Sequence, residues 1–501
     1  MSNTKSIYNT IKEIIQSKGK LPANFSPETK KLAPGKLPFA PGALEGILGH
    51  HTRGDGGKTH FPSVLRTYVD MEPQAALQDF EEKLADNFSA ATEGKTVLKA
   101  IMENQGMYPP SKVLTLAYYF AANGKRTEAV KLGLTLMRLF DTTKVGKGEF
   151  ADLLLHLGYC EEFTGYVLDN TYVWTDEARQ ELIYKLAKAL NGWGKINTVE
   201  MLNVDTPEKK NWVLCYGCKN SVMYNYLAAV CLEKSELYKR LQEGNLSQEE
   251  FRGATDIMEG LVDEGPSAGL SDVDEPAELT LLYLSEVKKQ ELDIELIDFI
   301  AGLKGYFANN SLDRANEVIT QIDDIMSTVD IDDVIEKNLE THTFQALRTA
   351  TFYKIDKSEQ LLELMKKDMK KYFNVCGYIL SNATKVDEFF ALCDEHIDEE
   401  DYPIAMGSEM MFGAPKDDRL PLDMVVQYLD KFPLKGKKLI KICINSPITR
   451  WRNMAARALV GWQDELGKHL PQIDEELAEL VVSVHAKECV EDTRKMWSKL
   501  L

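Results

Sequence analysis

The chain reads as an all-α protein: an elongated α-solenoid of stacked antiparallel helix pairs, preceded by an irregular Pro/Gly-rich N-terminal arm. Three observations predict this. Short amphipathic segments on a helical period follow one another along most of the 501 residues. Brief polar turns join them, and no stretch alternates convincingly as a strand. The length exceeds what one conventional core fills, so an extended array or several domains is expected.

The elements can be justified in order. A first helix is expected from about Ser6 to Ser17, with Ile7, Ile11, Ile14 and Ile15 on one face. From Lys18 to about Lys58, Pro22, Pro27, Pro34, Pro38 and Pro41 break helices, and Gly35, Gly42, Gly46 and Gly49 loosen what remains. This segment reads as an arm packed over the first helical pairs. From Pro62 the helical pattern takes over. Pro110 and Ser111 open a helix carrying Val113, Leu114, Ala117 and Phe120, and Asn123-Gly124 ends it. Thr175 is a candidate N-cap, with Asp176 and Glu177 where the helix dipole favours negative charge. Ser247 and Glu250 have capping-box spacing. Pro266, Gly269 and Pro276 lie in an acidic stretch from Asp263 to Glu278 that reads as a linker or loop, and Gly407 to Pro421 is a second break. The expected organisation is therefore 1–61 (helix and arm), 62–262 (first helical region), 263–278 (linker or loop) and 279–501 (second helical region).

The clearest helix begins at Trp451. Trp451, Met454, Ala455, Ala458, Leu459 and Trp462 form one apolar stripe. Internal repetition is faint: Tyr119-Phe120-Ala121-Ala122-Asn123 is echoed by Tyr306-Phe307-Ala308-Asn309-Asn310. At these points the chain resembles tetratricopeptide helical pairs. Ile448 to Leu459 is more similar to a HEAT-type repeat, in which an Arg and small residues pack between neighbouring helices. The resemblance is to the helical-repeat superfamily and implies architecture alone; it carries no functional residues.

Composition narrows the function. Hydrophobic residues make up 44% and charged residues 27%, which is ordinary for a folded protein. A net charge of −19 disfavours general binding to nucleic acid, because most of the surface repels a polyanion. No apolar run of spanning length occurs, so no membrane helix is expected. Without an export signal, the eight cysteines read as reduced thiols in a cytoplasmic protein.

Several residue groups are candidate sites. Gly54-Asp55-Gly56-Gly57-Lys58-Thr59 suggests a phosphate loop, but Thr52 stands where the first Gly belongs and no strand precedes it. A flexible turn is the alternative. His50, His51 and His60, with Glu45 and Asp55 nearby, are candidate metal ligands, set against a solvated loop. Cys215-Tyr216-Gly217-Cys218 lacks both a thioredoxin-like context and a second ligand pair, and reads as buried thiols. Trp193 between Gly192 and Gly194 is either an exposed recognition anchor or a plug between helices. Paired acids such as Glu161-Glu162 are plentiful, and spacing selects none of them.

The most specific departure is a basic run: Lys435, Lys437, Lys438, Lys441, Arg450, Arg452 and Arg457, with no acidic residue between them. It reads either as a patch for an acidic peptide, a phosphorylated partner or a nucleic-acid backbone, or as cations that pair with carboxylates on neighbouring helices. The expected function is a non-catalytic scaffold that holds a protein or peptide partner and needs no cofactor. The alternatives are a metal- or nucleotide-dependent enzyme using the His/Gly arm, and nucleic-acid binding through residues 435–457.

Overall fold

The structure is a computed structural model and describes residues 5–22, 25–28, 39–51, 59–145, 148–265, 267–409 and 418–501. The protein is all-α. About 70% of it is helical, and among the described residues no strand occurs beyond one isolated bridge between Glu409 and Ile448. Among the same residues no helix is long and apolar enough to cross a membrane.

The helices start and stop where their end residues dictate. The first, Ile7–Lys18, begins with the Ser6 hydroxyl accepting from Asn9 N and ends at Gly19, whose left-handed backbone (φ 73°) lets its N–H reach Ile15 O. Thr175 caps Asp176–Ala189 by accepting from Ala178 N. Ser247 and Glu250 form both bonds of the capping box that opens Gln248–Val262. The tryptophan stripe lies on Thr449–Leu466, with Trp451, Ala455, Ala458, Leu459 and Trp462 buried.

The helices gather into two compact units. The first holds residues 39–290 and 311–315 with the described N-terminal residues; the second holds 291–310 and 316–501. The acidic segment 263–278 lies within the first unit, where it includes a short turn at Leu270–Asp272.

In the first unit, six helices contact one another in series: Ala90–Glu103, Thr127–Met137, Thr164–Asn170, Trp193–Met201, Asn225–Lys234 and Gln248–Val262. Other helices back this series; Pro110–Asn123 packs on Thr127–Met137 so closely that a Cβ on Gly133 would lie 2.5 Å from Ala121 N. All eleven residues of Thr127–Met137 are buried. The core beside it includes Phe61, Phe80, Phe88 and Phe120, with ring centroids 4.5–5.9 Å apart. In the second unit Trp451, Trp462 and Trp497 are fully buried, and the Trp462 indole donates to Leu429 O at 2.6 Å.

Charged side chains stitch helix ends to neighbouring elements. Glu128 accepts from Ala90 N (2.8 Å), Glu28 from Thr127 N (2.7 Å), and Glu161 from Asn191, Gly192 and Gly194 N. At the opposite pole, Lys234 donates to Val199 O, Glu200 O and Leu202 O, at 2.7–3.1 Å, at the end of Trp193–Met201. Carboxylates thus meet positive helix starts and an ammonium meets a negative helix end, satisfying groups the helices leave orphaned.

Candidate functional site

The candidate site lies in the first unit, where part of the N-terminal arm crosses the helix series. Ala43–His51, inside the segment that reads as irregular, is a helix. Its glycines give it little intrinsic stability, so contacts with the series must hold it. Gly42 takes a left-handed turn (φ 74°) and donates its N–H to Glu162 Oε2 at 2.7 Å. One turn on, Gly46 lies flat against the indole of Trp193. A Cβ there would sit 2.1 Å from Trp193 Cε3, so this approach requires glycine.

Glu45 points from the arm helix into a socket around Lys131. The Lys131 side chain is 2% exposed, with Nζ 2.5 Å from Glu45, 2.6 Å from Glu162 and 3.5 Å from Glu128. Burial alone would lower its pKa; the three carboxylates reverse this and hold the ammonium protonated. Tyr166 donates to Glu45 Oε1 at 3.1 Å, while Glu45 Oε2 is buried without a hydrogen-bond partner. Burial raises the Tyr166 phenol well above its ordinary value, so it acts as a donor.

Beside the arm helix is a cavity of about 720 Å³. Leu48 and Gly49 of the arm line it, facing Gly94, Thr135, Gly165 and Asn197 from four successive helices of the series. Most ionisable groups around it are committed to the protein: Glu161 to three N–H groups, Glu162 to Lys131 and Gly42, and Asp169 to Arg138 at 2.9 Å. Glu200 differs. Burial lifts its carboxyl to about 7, against a smaller opposing pull from Lys234. It faces His50 at 3.8 Å, and burial, then His51, pushes that imidazole below its usual pKa.

The structure brings His50, His51 and Trp193 together. The His50 ring lies 5.7 Å from Trp193 and 5.2 Å from Tyr226, and His51 Nε2 is 2.6 Å from the Tyr226 hydroxyl. Trp193 is 5% exposed and packs on Tyr226 with centroids 4.9 Å apart. His60 is exposed at the start of Phe61–Asp70, where its carbonyl accepts from Ser63. Among the described residues no three His, Cys, Asp or Glu side chains are placed to hold a metal. Most of the glycine-rich loop, residues 52–58, lies outside the described residues; Thr59 donates its hydroxyl to Glu93. Cys215 and Cys218 are buried free thiols at a π-helical turn, and the Cys218 thiol is pushed well up by its hydrogen bond with Cys231 and by burial.

The basic run lies in the second unit, and each cation has a protein partner. Lys435 pairs with Asp387, Lys437 with Asp474 and Glu476, Lys441 with Glu476, Arg450 with Asp423 and Arg457 with Asp430. Lys438 donates to Asp394 O. Arg452 is wholly buried and grips Glu488 with two bonds, at 2.7 and 2.8 Å.

Sequence reasoning missed Lys131, Tyr166, Glu200 and the partners of Glu45. One signal existed for Lys131: it is a lysine in an otherwise apolar helical stretch, Ala129 to Leu134. A charge without a polar face needs buried counter-charges. No known protein family, characterised protein or solved structure matches this chain.

Proposed function

We propose that the protein is a non-catalytic scaffold of the helical-repeat type that holds a protein or peptide partner, and that the helix series of the first unit is a stretch of α-solenoid. The observation that carries this reading is the 720 Å³ cavity spanning four consecutive helices of the series. A wall made of successive helices offers an extended partner several separate footholds. Its ionisable groups favour holding over chemistry, because most already serve as helix caps or ion-pair partners.

Selection of a displayed peptide library on the full chain tests this. Gly165 faces the cavity with room to spare, since an added Cβ would come no closer than 3.5 Å to any neighbour. Gly165→Trp fills that space. Selected peptides should bind the native chain saturably and the variant about tenfold or more weakly, with the melting temperature unchanged. Equal binding to both, or failure to enrich any peptide, rejects the reading.

A second reading, an enzyme that uses the histidine arm, draws on one observation: Glu200 titrates near neutrality beside His50 at the edge of the same cavity. Turnover abolished by Glu200→Gln would favour it over the scaffold.

A further inference from the structure

The arm helix meets the helix series as a ligand meets a receptor. Its contacts converge from separate helices: Lys131 on one, Tyr166 on the next, Trp193 and Glu200 on the third and Tyr226 on the fourth. They are selective in chemistry. The Lys131 socket accepts a carboxylate, and the flat face of Trp193 accepts a residue with no side chain. Glu45 and Gly46, adjacent in sequence, meet these two demands.

The receptor side is built to persist without the arm. Lys131 keeps Glu128 and Glu162 as counter-charges, and the helices of the series contact one another directly. The arm's own fit is incomplete. One oxygen of Glu45 is buried without a partner, Ile47 is 36% exposed, and the arm helix lines only one side of the neighbouring cavity. A helix that engaged both carboxylate oxygens, or extended into the cavity, would bind more fully than the arm does.

We propose that the face covered by Ala43–His51 is the protein's docking surface for a short partner helix bearing a carboxylate immediately followed by glycine, and that the arm helix is a tethered competitor for that surface. This rests on the partner-binding reading for the partner's existence. The competition itself is testable without a partner.

The probe is a fluorescent peptide with the sequence of residues 39–51, titrated into the full chain by anisotropy. A short tether holds a competitor at an effective concentration of roughly millimolar. Removing the tethered arm from the face should therefore tighten capture of the free peptide by about 10- to 100-fold. Two full-length variants release the arm differently: Gly46→Val by collision with Trp193, and Glu45→Lys by repulsion from Lys131. Tighter capture in either variant, lost when the peptide carries Glu45→Arg, supports the proposal. Equal and weak binding by native chain and variants overturns it. So does loss of helical circular dichroism in both variants, because the arm would then be part of the core rather than a competitor. Capture of the probe without enrichment of any library peptide would leave the arm's competition for the face standing and remove the partner; enrichment of peptides that compete with the probe nowhere would keep the partner reading and overturn this docking surface.

Discussion

Removing the Glu488 carboxylate should cost the second unit more stability than any exposed substitution in the basic run. Arg452 and Glu488 are both 0% exposed. The guanidinium also donates to Ser446 O (2.7 Å) and Gly407 O (2.8 Å), and Glu488 accepts from Val490 N (3.0 Å) and the Trp497 indole (3.4 Å). Burial tends to raise the Glu488 pKa, but Arg452 and these donors outweigh it and hold the carboxyl below its usual value. Glu488→Leu leaves a buried guanidinium with two carbonyls and no counter-charge, a loss of about 3–5 kcal/mol. In Arg452→Met with Glu488→Leu no charge is stranded. Orphaned are the Ser446 carbonyl and the N–H groups of Val490 and Trp497, while Gly407 O keeps the Cys489 thiol; the cost is about 1–3 kcal/mol for each that water cannot reach. The double variant should therefore be less damaged than the sum of the two single ones. Urea unfolding followed by tryptophan fluorescence suits the measurement, since Trp451 and Trp462 share a helix with Arg452 and the Trp497 indole bonds to Glu488. A single-variant loss under about 1 kcal/mol, or strict additivity in the cycle, would refute the buried-pair reasoning.

Other outcomes are expected. Lys131→Met crowds Glu45, Glu128 and Glu162 without a cation and should destabilise the first unit by about 3–5 kcal/mol, read by chemical denaturation. Glu200 has a folded pKa of about 7 against an ordinary 4.5, so the folded state binds the extra proton and stability falls as pH rises through that window. The full shift corresponds to about 3 kcal/mol, which screening at a side chain 33% exposed reduces to about 1–2 kcal/mol. Glu200→Gln should raise the melting temperature above neutral pH and not below pH 4.5; the same gain at both ends would contradict the assignment. A thiol reagent should titrate Cys489 rapidly and the seven buried cysteines only after unfolding.

Much of the helical character was legible because it is local. The Trp451 stripe, the Ser247–Glu250 box and the Thr175 cap depend on residues within one or a few turns, and pattern alone finds them. The arm helix was not legible: three glycines and a preceding proline read as breakers, and what holds Ala43–His51 is Trp193, far along the chain. The basic run shows the same boundary. Its sequence displays seven cations without an acid between them, while their carboxylates stand elsewhere in the chain, as Asp387 does 48 residues before Lys435. Chemistry was visible in these cases; pairing was not. Bringing Trp193 and His50 into one cluster likewise required the fold.

The carboxylates that cap neighbouring helices have a consequence for how the chain can vary. Glu161 binds three peptide N–H groups and Glu286 two, and a peptide N–H is supplied by every residue except proline. Joints drawn in this way constrain one partner and leave the other free to be nearly anything. Helices joined so tolerate changes of side chain at the receiving end while still fitting their neighbours, so the joint leaves little trace in the sequence on that side.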